Sequence, residues 1–280
     1  MVARFTLQEA ISRRLILAGV LISAGYLGLF ALGFRLAYAF ALQNAPTPQS
    51  RLGLGLGFAI LTLFGVYVVN YLASFLALFL SVGAVSGEID AGTLHAVLAR
   101  PVRRAEFVLG RWLGYGLILG VYIVCMTGLV LVIARAISGY EVPDPLPALA
   151  LMMLEGVLLL TLSLFGSTLL STLANGVIVF TLLGLAWLGG IIEYVGRFLG
   201  NETMLNVGTI VSLLLPSDAL WRGASYHLQS PALLSALGVG RGGIPFFAEV
   251  SIVPALVVWA CGYVVVVLAA AVLAFSRRDL

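Results

Sequence analysis

Charge is what this sequence has least of. Of its 280 residues only 10% are charged, against 61% hydrophobic, where a soluble domain carries about 25% charged residues. A chain so short of charge cannot cover a folded core with a solvated surface. Lysine is missing altogether: all 15 basic residues are Arg. The net charge of +3 is too small to draw nucleic acid to it. There are two cysteines, Cys125 and Cys261, and both lie inside apolar runs, so a structural disulfide is not expected and the redox compartment is not legible. Nor is there a G-x-x-x-x-G-K-[ST] phosphate loop. The chain has no evident means of hydrolysing ATP by itself and is not expected to be an enzyme.

What it does have is apolar runs longer than the roughly 20 residues that cross a hydrocarbon core. They predict an all-α polytopic membrane protein, a single transmembrane domain over 1–280 with six transmembrane helices. Residues 1–14 form a short interfacial helix, with Phe5, Leu7 and Ile11 on its apolar face and Arg4, Glu9, Arg13 and Arg14 left wet. The spans are expected at about 15–42, from 52 onward, at 112–137, 147–172, 177–194 and 252–275. Ala37-Tyr38-Ala39 has a small-x-small form, but the apolar run before it is too long for a cleaved leader and contains Arg35. Pro46 and Pro48 mark the first turn, Pro143 and Pro145 a later loop, and Leu173 to Gly176 a very short link. The second span is uncharged from Leu52 to Gly87, so it must tilt or project beyond the bilayer. Residues 195–250 hold two half-length apolar stretches, Met204–Leu215 and Leu233–Phe247, broken by Pro216, Pro231 and Pro245. Short external re-entrant or interfacial helices are expected there, with other helices shielding their backbone.

Six spans put both termini on one side, and arginine decides which. That side receives Arg4, Arg13, Arg14, Arg100, Arg103, Arg104, Arg111, Arg277 and Arg278. The opposite side receives Arg51, Arg197, Arg222 and Arg241, with Arg35 and Arg135 near its edge. The excess, packed into short loops, places both termini in the cytoplasm.

The most polar stretch follows the second span, from Ser86 to Arg111. Gly87 to Gly92 is loop-like, and Thr93 caps a short helix, Leu94 to Ala99, with Leu94, Val97 and Leu98 on one small apolar face. Arg100-Pro101 ends it, because the residue before proline is pushed out of the α region. Pro101 then opens a new helix through Arg103, Arg104 and Glu106 into the third span.

Three motifs here carry a resemblance. Glu88-x-x-x-Gly92-Thr93-Leu94, Leu98-x-x-Pro101-Val102-x-Arg104-x-Glu106 and Leu109-Gly110-Arg111-x-Leu113-Gly114 resemble the cytoplasmic signature of ABC-2 type transporter permeases. Arg111 stands where lysine is commoner in the family. Leu214-Leu215-Pro216-Ser217-Asp218 resembles the L-N-P-x-D sequence of the subgroup that includes the permease of nitrous oxide reductase maturation, with Leu215 replacing asparagine. The resemblance implies the membrane subunit of an ATP-driven exporter in the cell membrane. It would work as a homodimer, each copy bound to a separate ATPase subunit that supplies ATP and Mg, with no cofactor on this chain. The short cytoplasmic coupling helix would sit in a cleft of that ATPase. Glu88, Gly92, Thr93, Leu94, Val97, Leu98, Pro101, Arg103 and Arg104 would then be the coupling residues, and 195–250 could meet an external accessory protein.

Read residue by residue, Glu88 is expected to pair with Arg103 or Arg104, and Arg111 to anchor the interface. Glu155 is the acid deepest in a span, at the outer depth of Arg35 and Arg135, and a buried ion pair with one of them outweighs substrate contact. Asn70, midway along the second span, either bonds across a dimer or lines a path. His95 faces water or the ATPase. Gly53-x-Gly55-x-Gly57, Gly110-x-x-x-Gly114 and Gly116-x-x-x-Gly120 suit close helix approach rather than nucleotide binding. Cys125-Met126 and Met152-Met153 offer soft ligands for copper, though such residues usually pack. Asn201-Glu202-Thr203 fits a glycosylation sequon that a bacterial setting would leave silent. Two other classes compete. An ion-coupled secondary transporter or channel needs several intramembrane charges and often a repeat. A non-transporting scaffold would relay ATP turnover outward through 195–250.

Overall fold

The computed structural model describes residues 14–44, 48–90, 104–237, 247–248 and 250–277, and every regular element in them is helical. In chain order they are α1 (Arg14–Asn44), α2 (Pro48–Ser81), α3 (Ser86–Asp90), α4 (Arg104–Ser138) and α5 (Pro145–Leu169). There follow α6 (Thr172–Leu199), α7 (Glu202–Leu214), α8 (Ser217–Leu228), α9 (Pro231–Leu237) and α10 (Pro254–Ser276). Six helices are long and apolar enough to cross a membrane: α1, α2 with α3, α4, α5, α6 and α10. The expected interfacial helix at 1–14 lies, but for Arg14, outside the described residues, as do Gly92, Thr93, Leu94, Val97, Leu98, Pro101 and Arg103.

The six spans alternate in direction. The α3 end of the bundle holds the start of α1, α4 and α6 and the finish of α2, α5 and α10; the α7 end holds the rest. Helix α5 is the axis, packing on α2, α4, α6, α8 and α10. Its Leu158, Leu159, Leu160 and Leu164 are among the largest fully buried side chains, so this helix is apolar all round because it is enclosed all round. Helix α1 is peripheral and exposes Leu21, Ile22, Leu29, Leu36 and Phe40, the surface that lipid covers.

Two boundaries differ from the sequence reading. The link between the fourth and fifth spans is Leu170 and Ser171, not Leu173 to Gly176. Asn175, which looks like a turn residue, sits fully buried in the first turns of α6. Its Nδ2 donates to the carbonyls of Ser163 at 2.8 Å and Val82 at 2.9 Å. A Cβ on Gly166 would collide with that side chain, so the glycine is what lets the asparagine enter.

The second difference is at 195–250. Of the expected pair, the first stretch is α7, but the next helix, α8, comes from the sequence between the two stretches. Of the second stretch only α9 is described, and residues 238–246 lie outside the described residues. Gly200, in the left-handed region at φ 63°, turns the chain, and Asn201 caps α7 by accepting from Met204 N at 3.2 Å. Helix α7 then runs back along α6 at very short range. A Cβ on Gly196 would meet Leu205 N at 2.8 Å, one on Gly208 would meet Glu193 N at 2.9 Å, and one on Gly189 would strike Val211. At Leu215-Pro216 the path bends by 98° into α8. Of the glycines expected to allow close approach, five are open. Added Cβ atoms on Gly53, Gly55, Gly57 and Gly116 would meet nothing within 4 Å, and on Gly120 only Met153 at 3.8 Å.

Candidate functional site

Polar side chains gather at two levels, and the first is the foot of α4. Glu88 on α3 forms an ion pair with Arg111, whose side chain is 4% exposed. Arg111 Nη1 also donates to Tyr115 Oη at 2.6 Å, and its guanidinium lies 5.2 Å from the Phe107 ring centroid and 5.9 Å from that of Tyr115. Cation–π contact and a carboxylate together suit a delocalised guanidinium better than an ammonium. Arg111 is therefore a buried clamp and not an interfacial anchor. Arg104 turns elsewhere, its Nη1 donating to Ser276 O at 3.1 Å at the end of α10. Ser86 and Thr172 share a hydroxyl hydrogen bond of 2.8 Å. The α2–α3 corner is thus fastened to α4 and α6, directly beside the segment bearing the coupling motif.

The second level is inside the bundle. Glu155 lies ten residues in from Pro145, about 15 Å along the axis of α5, and is 4% exposed. The expected ion pair is absent among the described residues. Arg135 Nη2 instead meets Glu141 Oε1 at 2.9 Å, with both side chains largely exposed, and Arg35 is exposed on α1. Glu155 takes neutral partners: Asn70 Nδ2 donates to Oε2 at 3.0 Å and to Oε1 at 3.2 Å. Ser74 Oγ stands 3.5 Å from Oε1 but 2.9 Å from Asn70 O, and its single proton favours the nearer acceptor. Asn70 therefore stitches α2 to α5 within one chain.

Around the Glu155 carboxylate is a cavity of about 20 Å³, room for a single water. Tyr67, Tyr71, Trp187, Trp221, Ser217 and Asp218 line its other walls. Trp187 Nε1 donates to Tyr67 Oη at 3.0 Å, which donates to Tyr71 Oη at 3.2 Å. Outside it, between α2 and α6, is a cleft of about 390 Å³ lined by Tyr67, Tyr71, Phe75, Phe180, Leu183, Gly184 and Trp187. Four residues, Tyr67, Tyr71, Leu183 and Trp187, are common to both spaces.

Asp218 enters at the break of the α7–α8 pair. Gly190 makes room for it: a Cβ there would collide with its carboxylate. Asp218 Oδ2 is 2.9 Å from Arg222 Nε, and Arg222 Nη2 is 2.7 Å from Glu193 Oε2. Glu193 Oε1 in turn meets Arg197 at 2.8 Å. This chain of charges binds α8 to α6, and Ser212 on α7 lies 3.5 Å from the same Arg222 nitrogen. From sequence, Arg197 and Arg222 serve only to set topology, and Ser217 and Asp218 enter only through the resemblance at Leu214–Asp218. The signal was there in Pro216-Ser217-Asp218, since proline before a polar pair starts a helix inside an apolar region.

The soft-ligand set does not share a face: Cys125 is exposed, whereas Met126 and Met152 are in the core. Among the described residues no three His, Cys, Asp or Glu side chains gather as a metal site.

Comparison with known proteins bears on the whole chain. The family model for ABC-2 family transporter proteins matches residues 10–280. Over 75 residues the chain is 35% identical to the probable ABC transporter permease protein NosY of Stutzerimonas stutzeri. That stretch is 26% of this chain and 27% of the relative, so the match spans about a quarter of each.

Proposed function

The chain belongs to the ABC-2 family of transporter proteins, and from that premise we propose that it is the membrane subunit of an ATP-driven exporter in the cell membrane. Family membership implies an ABC ATPase as its partner. The export direction, the homodimer, the cytoplasmic position of both termini and an external accessory protein at 195–250 belong to the same proposal. A secondary transporter or channel loses ground on the same premise.

The observation that carries the reading is the Glu88–Arg111 clamp. It joins the corner after α2 to the foot of α4, on either side of residues 91–103, whose sequence matches the family's coupling motif. A push received by Leu94, Val97 and Leu98 would reach both helices through one buried ion pair. The aromatic cleft between α2 and α6 opens sideways from the bundle, where it would line a path shared with a second copy. No step of catalysis falls to this chain; ATP and Mg stay with the ATPase.

The test is a complex of this chain with its partner ABC ATPase, carrying Leu94→Asp and Leu98→Asp. Each aspartate puts a charge on the apolar docking face. ATP turnover of the complex should fall at least tenfold or the subunits should separate on a sizing column. An intact complex with unchanged turnover removes the coupling role.

A further inference from the structure

Charge bookkeeping around the inner cavity does not balance. Among the described residues Glu155 is held by one neutral donor, Asn70, and Arg135 and Arg111 are engaged by Glu141 and Glu88. Asp218, on the opposite wall, shares Arg222 with Glu193, which also holds Arg197. Three carboxylates thus meet two guanidiniums, and among the described residues this part of the bundle is one positive charge short. An intramembrane carboxylate faces a partner or a water-filled cavity that marks a substrate path. A second observation points the same way. Ser217 Oγ lines the same cavity, is buried to 1% exposure, and has no hydrogen-bond partner among the described residues, so its hydroxyl stands ready for a polar ligand group, a donor included.

The shape narrows the donor. About 20 Å³ accepts a water-sized group; a primary ammonium fits, while a trimethylammonium is too bulky. The wider cleft beyond it, about 390 Å³, is walled by Tyr67, Tyr71, Phe75, Phe180 and Trp187, whose faces attract cations and whose area buries an apolar body.

We propose that the α2–α6 cleft and the cavity behind it are one binding site for amphiphilic primary amines. The apolar body lies among Tyr71, Phe75 and Phe180, and the ammonium donates to Glu155 and Ser217, with Asp218 adding negative charge. As the substrate class of an exporter this rests on the function proposed above; as a binding site it stands apart from it.

Dansylcadaverine, a primary amine with a fluorescent aromatic body, tests it on the full chain with its ATPase in nanodiscs without ATP, corrected for empty nanodiscs. Saturable binding is expected, at least tenfold weaker for the N-acetylated and N-trimethylated probes and for Glu155→Gln. Phe180→Ala should weaken binding several-fold, and Arg135→Gln should leave it unchanged. The amine proposal is overturned if Glu155→Gln binds the probe as tightly as the natural chain. Where that variant does not fold, equal binding of the acetylated probe to the natural chain overturns it as well. No saturable binding, with the Leu94 and Leu98 effect intact, removes the amine site and leaves the export reading. Binding retained while those aspartates change nothing leaves the amine site and removes the export reading.

Discussion

Glu88 is a half-buried glutamate and Glu155 a buried one, and they are held in opposite ways. Glu88 meets a guanidinium that is itself enclosed by the Phe107 ring and by the ring and hydroxyl of Tyr115. Glu155 meets an amide. A paired charge in a dry interior is tied to its counter-ion, because removing one member strands the other. A carboxyl bonded to a neutral donor carries no such debt, and its charge can be removed or met by something arriving from outside. The contrast separates a structural clamp from a receptive site.

The clamp is the easier side to break. Arg111→Ala takes the guanidinium away from Glu88 and its aromatic neighbours, and a loss of about 3 kcal/mol is expected, the low end for a buried pair because Glu88 is partly exposed, read as a drop in the melting temperature of the purified chain. Glu88→Gln together with Arg111→Met should recover most of that loss, because the replacement leaves no charge to satisfy. Arg222→Ala should cost about 3 kcal/mol by the same logic, since it uncovers Asp218 and leaves Glu193 only the exposed Arg197. Gly190→Ala comes next, at about 1–3 kcal/mol, as its methyl drives into the Asp218 carboxylate. A Gly190→Ala chain with an unchanged melting temperature would mean that α8 can slide, and that Asp218 is not fixed against α6.

How far the sequence carried this picture depends on the type of signal. The six spans were legible because hydrocarbon thickness imposes a length that apolar runs either reach or miss. The α7–α8 break was half legible: Pro216 announced it, but α8 contains Asp218, Arg222, Ser225 and His227 and did not look like a helix that packs on α5. Its polar groups are consumed locally, Ser225 Oγ accepting from Ala248 N at 3.0 Å and Gln229 Nε2 donating to Ala248 O at 2.8 Å. Asn175 misled for the converse reason, since a residue that favours turns was recruited to a helix by two carbonyls and a glycine gap. The partner of Glu155 was not legible at all. Depth along a helix can be counted from sequence, but the rotation that turns Asn70 toward α5 and Arg135 away from it is set by packing.

The smallest effects are the most telling about Glu155. Glu155→Gln keeps the shape and leaves Asn70 an oxygen to donate to, so stability should change by less than about 1 kcal/mol. That is several-fold below the cost at Arg111, although each change takes one ionisable group out of the bundle. Arg135→Ala should be smaller still, within about 0.5 kcal/mol, because its ion pair with Glu141 lies in solvent or at the membrane edge. The two changes together decide whether the partner suggested by sequence exists. Residues without shared contacts add to within about 0.5 kcal/mol, so the double variant should melt where the two single shifts sum. A coupling above that value would draw Arg135 toward Glu155, restore the missing positive charge, and leave the cavity with nothing to wait for.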